Sequence, residues 1–486
     1  MEITQQYLKK YDLIVVGSGS AMNIVEPMIR SNPSIKIAVI DKDEPGGICL
    51  TRGCIPSKIM LYPAELVASI EGASALGVDV EIKRISYEKI MKRMRSLINR
   101  DIQSIRQGLT HSENIDYYHA EAEFVSPYHM KVGGDVISAE MIFLATGSEP
   151  YIPPIAGIDR IKYHTSDSII RMELKKLPRS MAIIGGGYIA AEFGHFFSTL
   201  GVQVTVLGRN PRFLPDEEPE ISELAKRELG KRMKILTNHE ARKVEQLPDG
   251  RITVEALDRA TSETKSFIVD EILVAAGRSP VNSILKPQKG GVETTKDGWI
   301  KVNEYLETTQ PNVWALGDAD GRYLFRHVAN YESEIVYYNA VLKRRVKVNY
   351  RAIPHAVFTY PEIASVGMKE EDAIKKVGSD KLLIGFCKYE DTAKGEAMNA
   401  KDYFVKIIVD GSTDEILGAH IIGPYASILI HEIITAMYTH DRSWRPLADA
   451  IHIHPALSEV IQRAIGFMLP VEHYHEHILG QDLKLT

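Results

Sequence analysis

The stretch Leu13-Ile14-Val15-Val16-Gly17-Ser18-Gly19-Ser20 decides the fold. Four apolar residues in a row read as a short buried strand, and Gly17-Ser18-Gly19-Ser20 turns it into a helix. Ile37-Ala38-Val39-Ile40 is the next strand, and it ends at Asp41. The result is a βαβ unit. Its helix N-terminus, reached through Gly17 and Gly19, can hold a pyrophosphate, and Asp41 is placed for a ribose hydroxyl. Met22 occupies the place of the third glycine, which serves close packing of helix on strand, so this motif is weak on its own.

The plan recurs downstream. Met181-Ala182-Ile183-Ile184 is a second buried strand, followed by Gly185-Gly186-Gly187-Tyr188-Ile189-Ala190. This motif is complete, with Ala190 in the third place, and a strand from Val202 to Leu207 follows. Two such units imply two nucleotide cofactors.

Between them lies Gly46-Gly47-Ile48-Cys49-Leu50-Thr51-Arg52-Gly53-Cys54-Ile55-Pro56-Ser57-Lys58, and the only other cysteine is Cys387. Inert buried thiols or half a zinc site are the bland readings. Zinc needs further ligands at compatible spacing, and no second Cys-x-x-Cys exists. On a regular helix Cys49 and Cys54 would stand about 7.5 Å apart along the axis and about 140° apart around it. A disulfide tolerates a Cα separation of only about 4.4–6.8 Å. If the two bond, the backbone bends there, as Gly46, Gly47 and Gly53 permit. A closely spaced dithiol in a distorted segment suits reversible redox chemistry, and the nucleotide units on either side suggest an electron path from nicotinamide through flavin to sulfur.

The 486 residues predict about three or four domains. Apolar and charged fractions are ordinary, and the net charge of −6 gives no reason to invoke nucleic acid. No apolar stretch reaches membrane-spanning length, and Met1 to Lys10 does not read as a signal peptide. A cytoplasmic location is expected, where an accessible thiol pair can cycle.

Further short motifs follow in order: Ala145-Thr146-Gly147, Ala276-Gly277-Arg278, Leu316-Gly317-Asp318, and His452-Ile453-His454-Pro455 with Glu459. With the dithiol and the glycine motifs, this ordered set resembles the class I pyridine nucleotide–disulfide oxidoreductases. That family includes dihydrolipoamide dehydrogenase, glutathione reductase, mycothione reductase and mercuric reductase. The resemblance implies an α/β fold with two Rossmann-like dinucleotide-binding domains, for FAD and NAD(P), plus a C-terminal α+β dimerisation domain. The expected divisions are an FAD-binding domain with the dithiol at 1–152, an NAD(P)-binding domain at 153–278, a second FAD-domain segment at 279–350 and the dimerisation domain at 351–486. In the last, Phe404 to Val409 alternates apolar and polar residues, Asp410-Gly411 is a turn, and Leu417 to Ile422 is another strand.

The resemblance also implies roles. Cys54 matches the thiol against the flavin, and Cys49 the outer thiol that exchanges with substrate. His454 matches the acid–base residue, supplied by the other subunit of a homodimer, with Glu459 as its support. Lys58 matches a lysine near the flavin, paired with Glu192; a surface contact is the alternative. Tyr188 matches a gate over the nicotinamide face. Asp318 matches the acid that binds the ribityl chain, unless it is a turn residue after Gly317. Thr146 and Gly147 fall to FAD; Gly185, Gly187 and Gly277 fall to the nicotinamide nucleotide. His452 reads as structural, and His473, His475 and His477 as a solvated tail rather than a metal site.

Gly208 stands where an acid would bind the ribose of NAD, and Arg209 follows it, with Arg212 nearby. Loss of the acid removes repulsion against a 2′-phosphate, and an arginine can pair with one, so NADP, or use of both NADP and NAD, is expected. The substrate is expected to be a small dithiol or disulfide. A dihydrolipoamide dehydrogenase-like activity comes first, a mycothione-type NADPH-dependent disulfide reductase second, and a flavin-bound redox sensor third. A lipoyl domain of a larger complex is left open as a partner.

Overall fold

Leu13–Val16 and Ile37–Ile40 run parallel, with Leu13 opposite Ile37 and Val16 opposite Ile40, and all eight side chains are buried. Strands apolar on both faces fit a parallel sheet covered by helices on each side. The computed structural model describes residues 8–171 and 177–479. The expected first boundary at residue 1, most of Met1–Lys10 and the last boundary at 486 lie outside the described residues.

Across the first sheet the order is Ile115–Tyr118, Ile37–Ile40, Leu8–Val16 and Asp135–Leu144, all parallel. The far edge of Asp135–Leu144 is shared. Its first half carries the antiparallel strands His129–Val132 and Ala122–Ser126; its second half pairs in parallel with Val313–Ala315, from beyond the second nucleotide unit. One sheet is thus built from two separated stretches of chain.

The second unit forms its own parallel sheet, in the order Lys234–Leu236, Gln203–Leu207, Ser180–Ile184, Glu271–Val274 and His164–Thr165. A three-stranded antiparallel meander, His239–Gln246, Ile252–Asp258 and Thr264–Val269, lies between its last two chain-consecutive strands. The chain leaves the first sheet through Ser148–Pro150 and returns through Arg278–Pro280, and these two short strands pair antiparallel.

The two units repeat each other in atomic detail. Gly17, at φ +102°, donates its N–H to Ile40 at 2.7 Å, and a Cβ there would fall 2.1 Å from the Ala145 carbonyl oxygen. Gly185, at φ +139°, donates to Leu207 at 3.0 Å, and a Cβ there would fall 2.1 Å from the Ala275 carbonyl oxygen. Only glycine fits either place.

The C-terminal sheet is antiparallel, in the order Pro354–Val357, Glu362–Gly367, Glu415–Gly423, Phe404–Asp410, Leu382–Lys388 and Met468–Pro470. The alternation read along Phe404–Val409 does not mark a solvated face: the whole of Phe404–Asp410 is buried. One face packs on Ala426–Met437 and Glu459–Gly466, the other on Ala373, Val471 and Tyr474. Lys406, 1% exposed, is held by Glu218 at 2.7 Å, Glu220 at 2.5 Å and Glu370 at 2.8 Å. Tyr474 donates to Glu220 at 3.0 Å, and His475 bonds Glu370 at 2.6 Å, so His475 is not part of a solvated tail. Burial tolerates such an ammonium only because carboxylates surround it.

Candidate active site

Gly46 at φ +112° and Gly47 at φ +73° start a six-residue helix, Gly47–Arg52. Gly53, at φ −130° and ψ −122°, breaks it, and Cys54–Glu71 begins a new helix. This is the bend that the spacing demands. At the break a Cβ on Gly53 would lie 3.2 Å from the Cys49 Cα, so the chain folds back and the sulfurs meet. Both cysteines are free thiols, and Cys54 donates a hydrogen bond to Cys49. That bond, opposed by burial and helped by Arg326, lowers the Cys49 thiol to about 7. The same bond and burial push Cys54 up, and Lys58 opposes them. In this dithiol geometry the lower pKa falls on Cys49, the thiol expected to exchange with substrate.

The dithiol opens on a cavity of about 1070 Å³. Gly17, Gly19 and Asp41 line one end; Thr146, Gly147 and Asp318 line the middle; Cys49, Cys54, Lys58, Tyr188 and Glu192 line the other end. The lining fits FAD. Gly19 and Gly47 touch backbone to backbone, leaving open space above them that a side chain would fill. The Thr146 hydroxyl is buried without a partner. Asp41 accepts from Ser18 N at 2.9 Å and Ser18 Oγ at 2.6 Å, which braces the glycine turn. Asp318 is pushed up by burial although Ser148 donates to it, and Arg278 stands 3.9 Å away. It is therefore no simple turn residue.

Lys58 reaches both oxygens of Glu192 at 2.8 Å. Glu192 is 5% exposed, so this is not a surface contact. Tyr188 starts the helix Tyr188–Thr199 and packs on Phe325 at 6.4 Å; burial raises its phenol to about 12. Gly185, Gly187, Arg209 and Gly277 do not line this cavity and belong to the edge of the second sheet. Gly208 sits in ordinary contact, 3.4 Å from a built Cβ to Gly186 Cα. Arg209 and Arg212 are exposed, and Arg259 donates to the Arg209 carbonyl at 3.0 Å.

His454 Nδ1 and Glu459 Oε1 meet at 2.9 Å, and the other Glu459 oxygen accepts from Ala456 N at 3.0 Å. The hydrogen bond from His454 and that from Ala456 hold the Glu459 carboxyl low. The His454 side chain is 68% exposed and does not line the cavity of its own chain. Ile451, Ile453 and Phe467 are exposed close to it in sequence.

Several site residues escaped the sequence reading. Arg52 bonds Asp43 at 2.7 Å and Asp167 at 3.0 Å. Phe325 stacks between His327 at 5.3 Å and His355 at 5.9 Å, and His355 bonds the buried Glu217 at 2.6 Å. Arg326 also faces the cavity. Arg52 lies within the dithiol segment, but its partner Asp167 is far away in sequence; the others come from elements distant in sequence, and no short-range spacing marks them.

No helix among the described residues is long and apolar enough to cross a membrane. The chain matches the family model described as pyridine nucleotide-disulphide oxidoreductase over residues 11–333, and that family's dimerisation domain over 353–465. Mycothione reductase of Mycobacterium tuberculosis is 33% identical over 469 residues, covering 94% of this chain and 99% of that protein. Dihydrolipoyl dehydrogenase of Chlamydia pneumoniae is 34% identical over 473 residues, covering 96% and 98%. Among solved structures, the Cu(II) complex of the HOCl-induced flavoprotein disulfide reductase RclA from Escherichia coli superimposes with a TM-score of 0.83 at 26% identity, covering 94% of this chain and 99% of that one. Flavin cavity, paired thiols and domain order agree with these matches, and the chain belongs to the pyridine nucleotide-disulphide oxidoreductases, FAD-dependent enzymes that use a pyridine nucleotide.

Proposed function

We propose that the protein is a homodimer that passes two electrons between a nicotinamide nucleotide and a small dithiol or disulfide through FAD and the Cys49–Cys54 pair. The observation that carries this is the bend at Gly53, which sets two thiols against each other at the mouth of the flavin cavity. FAD, when bound, relays electrons between the nicotinamide and the sulfurs. Cys49, with its lowered pKa, attacks the substrate disulfide, forming a mixed disulfide and releasing one thiolate. Cys54 then attacks Cys49, releasing the second thiolate and closing the Cys49–Cys54 disulfide. His454 of the other subunit, held by Glu459, protonates the leaving thiolates. In dithiol oxidation the same steps run backward and His454 takes the protons.

The support for the inter-subunit base is that His454 is exposed and away from its own cavity, next to exposed Ile453. Lys58 and Glu192 tie the dithiol helix to the second unit, and Tyr188 covers the nicotinamide side. NADP is the favoured nucleotide, because Arg209 and Arg259 stand together beside Gly208 and no acid occupies that position. We read the units as 1–152, 153–278, 279–350 and 351–486, supported by the paired crossing strands, and the working compartment as the reducing cytoplasm.

Dihydrolipoamide is the first substrate class, by the similarity to dihydrolipoyl dehydrogenases. Reduction of a mycothione-type disulfide is the second, favoured by the similarity to mycothione reductase and by Arg209. A steady-state screen of dihydrolipoamide and of oxidised mycothiol-type disulfides, each with NAD(H) and NADP(H), tests both. Turnover with neither class, in a protein that binds FAD, overturns the substrate reading.

A further inference from the structure

Arg326 opens the helix Arg326–Val336, on the stretch that returns to the first sheet's domain, and its half-buried side chain lines the flavin cavity. Its Nη1 lies 3.9 Å from the place of a Cβ on Gly19 and 3.9 Å from that of a Cβ on Gly47. Those two glycines are themselves in contact: a Cβ on Gly47 would come within 2.7 Å of the Gly19 Cα. The guanidinium therefore hangs over the seam between the glycine turn and the loop that starts the dithiol helix. Two positions without side chains keep that space open to it.

Three other cations that line the cavity beside the dithiol are already paired. Arg52 holds Asp43 and Asp167, Lys58 holds Glu192, and Arg278 bonds Ser148 and Asp167. Arg326 has no hydrogen-bond or salt-bridge partner among the described residues, and its charge acts on the Cys49 thiol. A half-buried guanidinium that no acceptor meets directly is costly unless an anion joins it there. In a dinucleotide fold the second glycine of the turn is where the pyrophosphate comes closest to backbone. The side chains at the start of the dithiol helix, Gly47 and Ile48, offer that anion no donor. A planar guanidinium facing two phosphate oxygens makes paired, charge-assisted hydrogen bonds.

We propose that Arg326 is the pyrophosphate-binding cation of the FAD site, acting with the backbone N–H groups of the glycine turn. This rests on the reading of the cavity as an FAD site, which the yellow colour of the wild-type protein and release of FAD on denaturation check separately.

The test measures flavin affinity, not turnover. Apoprotein of wild type, Arg326→Gln and Arg326→Lys is titrated with FAD and, in parallel, with riboflavin, which lacks phosphate, following flavin fluorescence. Far-ultraviolet circular dichroism checks each fold. Arg326→Gln weakens FAD roughly ten- to a hundredfold and leaves riboflavin unchanged. Arg326→Lys keeps the charge and loses the paired geometry, so its FAD affinity falls between the two. If Arg326→Gln does not fold, Arg326→Lys decides by the same comparison: an FAD-only loss supports the assignment. Unchanged FAD affinity overturns it, and so does an equal loss for FAD and riboflavin. FAD affinity unchanged with a raised Cys49 alkylation midpoint also overturns it and assigns the cation to the sulfur.

Discussion

The Lys58 ammonium grips both carboxylate oxygens of Glu192 at 2.8 Å, joining the dithiol helix to the helix that opens the second nucleotide unit. A second donor, Phe358 N, reaches Glu192 at 3.1 Å, and the Phe358 ring lies 4.7 Å under the ammonium. Lys58→Met leaves a buried carboxylate with one backbone donor, and equilibrium unfolding in urea reads a loss of about 1–3 kcal/mol. The substitution also removes the cation that opposes the upward push on Cys54 from its bond to Cys49 and from burial. Spectral titration of the two-electron-reduced variant therefore finds the long-wavelength thiolate–flavin band at higher pH than in wild type.

Cys49 is lowered to about 7 by the bond from Cys54, against burial, with help from Arg326. Below that pH the thiol is protonated and slow; above it the thiolate reacts. Alkylation of the reduced enzyme by iodoacetamide accelerates through about pH 7. In Cys54→Ala, which lacks any side-chain donor, the midpoint moves up. A wild-type midpoint at the ordinary cysteine value of about 8.5 contradicts the geometry.

Gly208 adopts a backbone that other residues accept, and a Cβ there meets Gly186 Cα at 3.4 Å, an ordinary contact. Gly208→Glu is therefore tolerated. Combined with Arg209→Ala it moves preference toward NADH by roughly ten- to a hundredfold, the worth of one charge-assisted contact. The ratio of kcat/KM values for NADPH and NADH measures it. A wild-type enzyme already far better with NADH reduces Arg209 to a surface charge.

His454→Ala lowers turnover by about 10²–10⁴-fold while flavin reduction by the nicotinamide survives. Glu459→Ala costs less, because it removes only the ring's support. Mixing inactive Cys49→Ser and His454→Ala dimers under subunit exchange creates one site with both defects and one with neither. Activity returns to about half the wild-type value per heterodimer. Exchange without recovery places base and dithiol in one chain.

Lys406 binds three carboxylates in the interior. Lys406→Ala strands them and costs about 3–5 kcal/mol in thermal or urea unfolding. Glu217 and Glu218 are raised by burial but held below their ordinary range, Glu217 by His355 and Ser365, Glu218 by Lys406 and His420. Their folded pKa values are depressed, so their stabilisation is complete above the ordinary carboxylate pKa and is lost as pH falls through the lowered ones. Denaturation midpoints measured between about pH 7 and 3 trace that loss, and the Lys406→Ala protein shows a shallower one.

What the sequence made legible is chemistry confined to short stretches. Gly17 and Gly185 announce their turns because only glycine survives 2.1 Å from a carbonyl oxygen. The bend between Cys49 and Cys54 follows from the residues that permit it, and His454 lies five positions from its carboxylate. Lys406 was hidden because a single cation in an apolar run imitates a solvated face; its partners come from helices far away in sequence. Arg326 and Arg259 were hidden for the same reason: their meaning lies in what stands opposite them. The Lys58–Glu192 pair was readable only through the likeness to a family, since nothing across a separation of 134 positions signals it.

The strands Ser148–Pro150 and Arg278–Pro280 are hydrogen-bonded neighbours, and Arg278 fastens them by donating to the Ser148 carbonyl at 2.7 Å. The long stretch between them therefore begins and ends at one spot. Such a segment behaves as a cassette: its two ends can be joined by a short turn without stretching what remains. A chain engineered that way keeps both halves of the first sheet in register and loses the side from which a reductant arrives. The same doorway lets one ancestral sheet acquire a second by a single insertion event, with no rewiring of its own strand order.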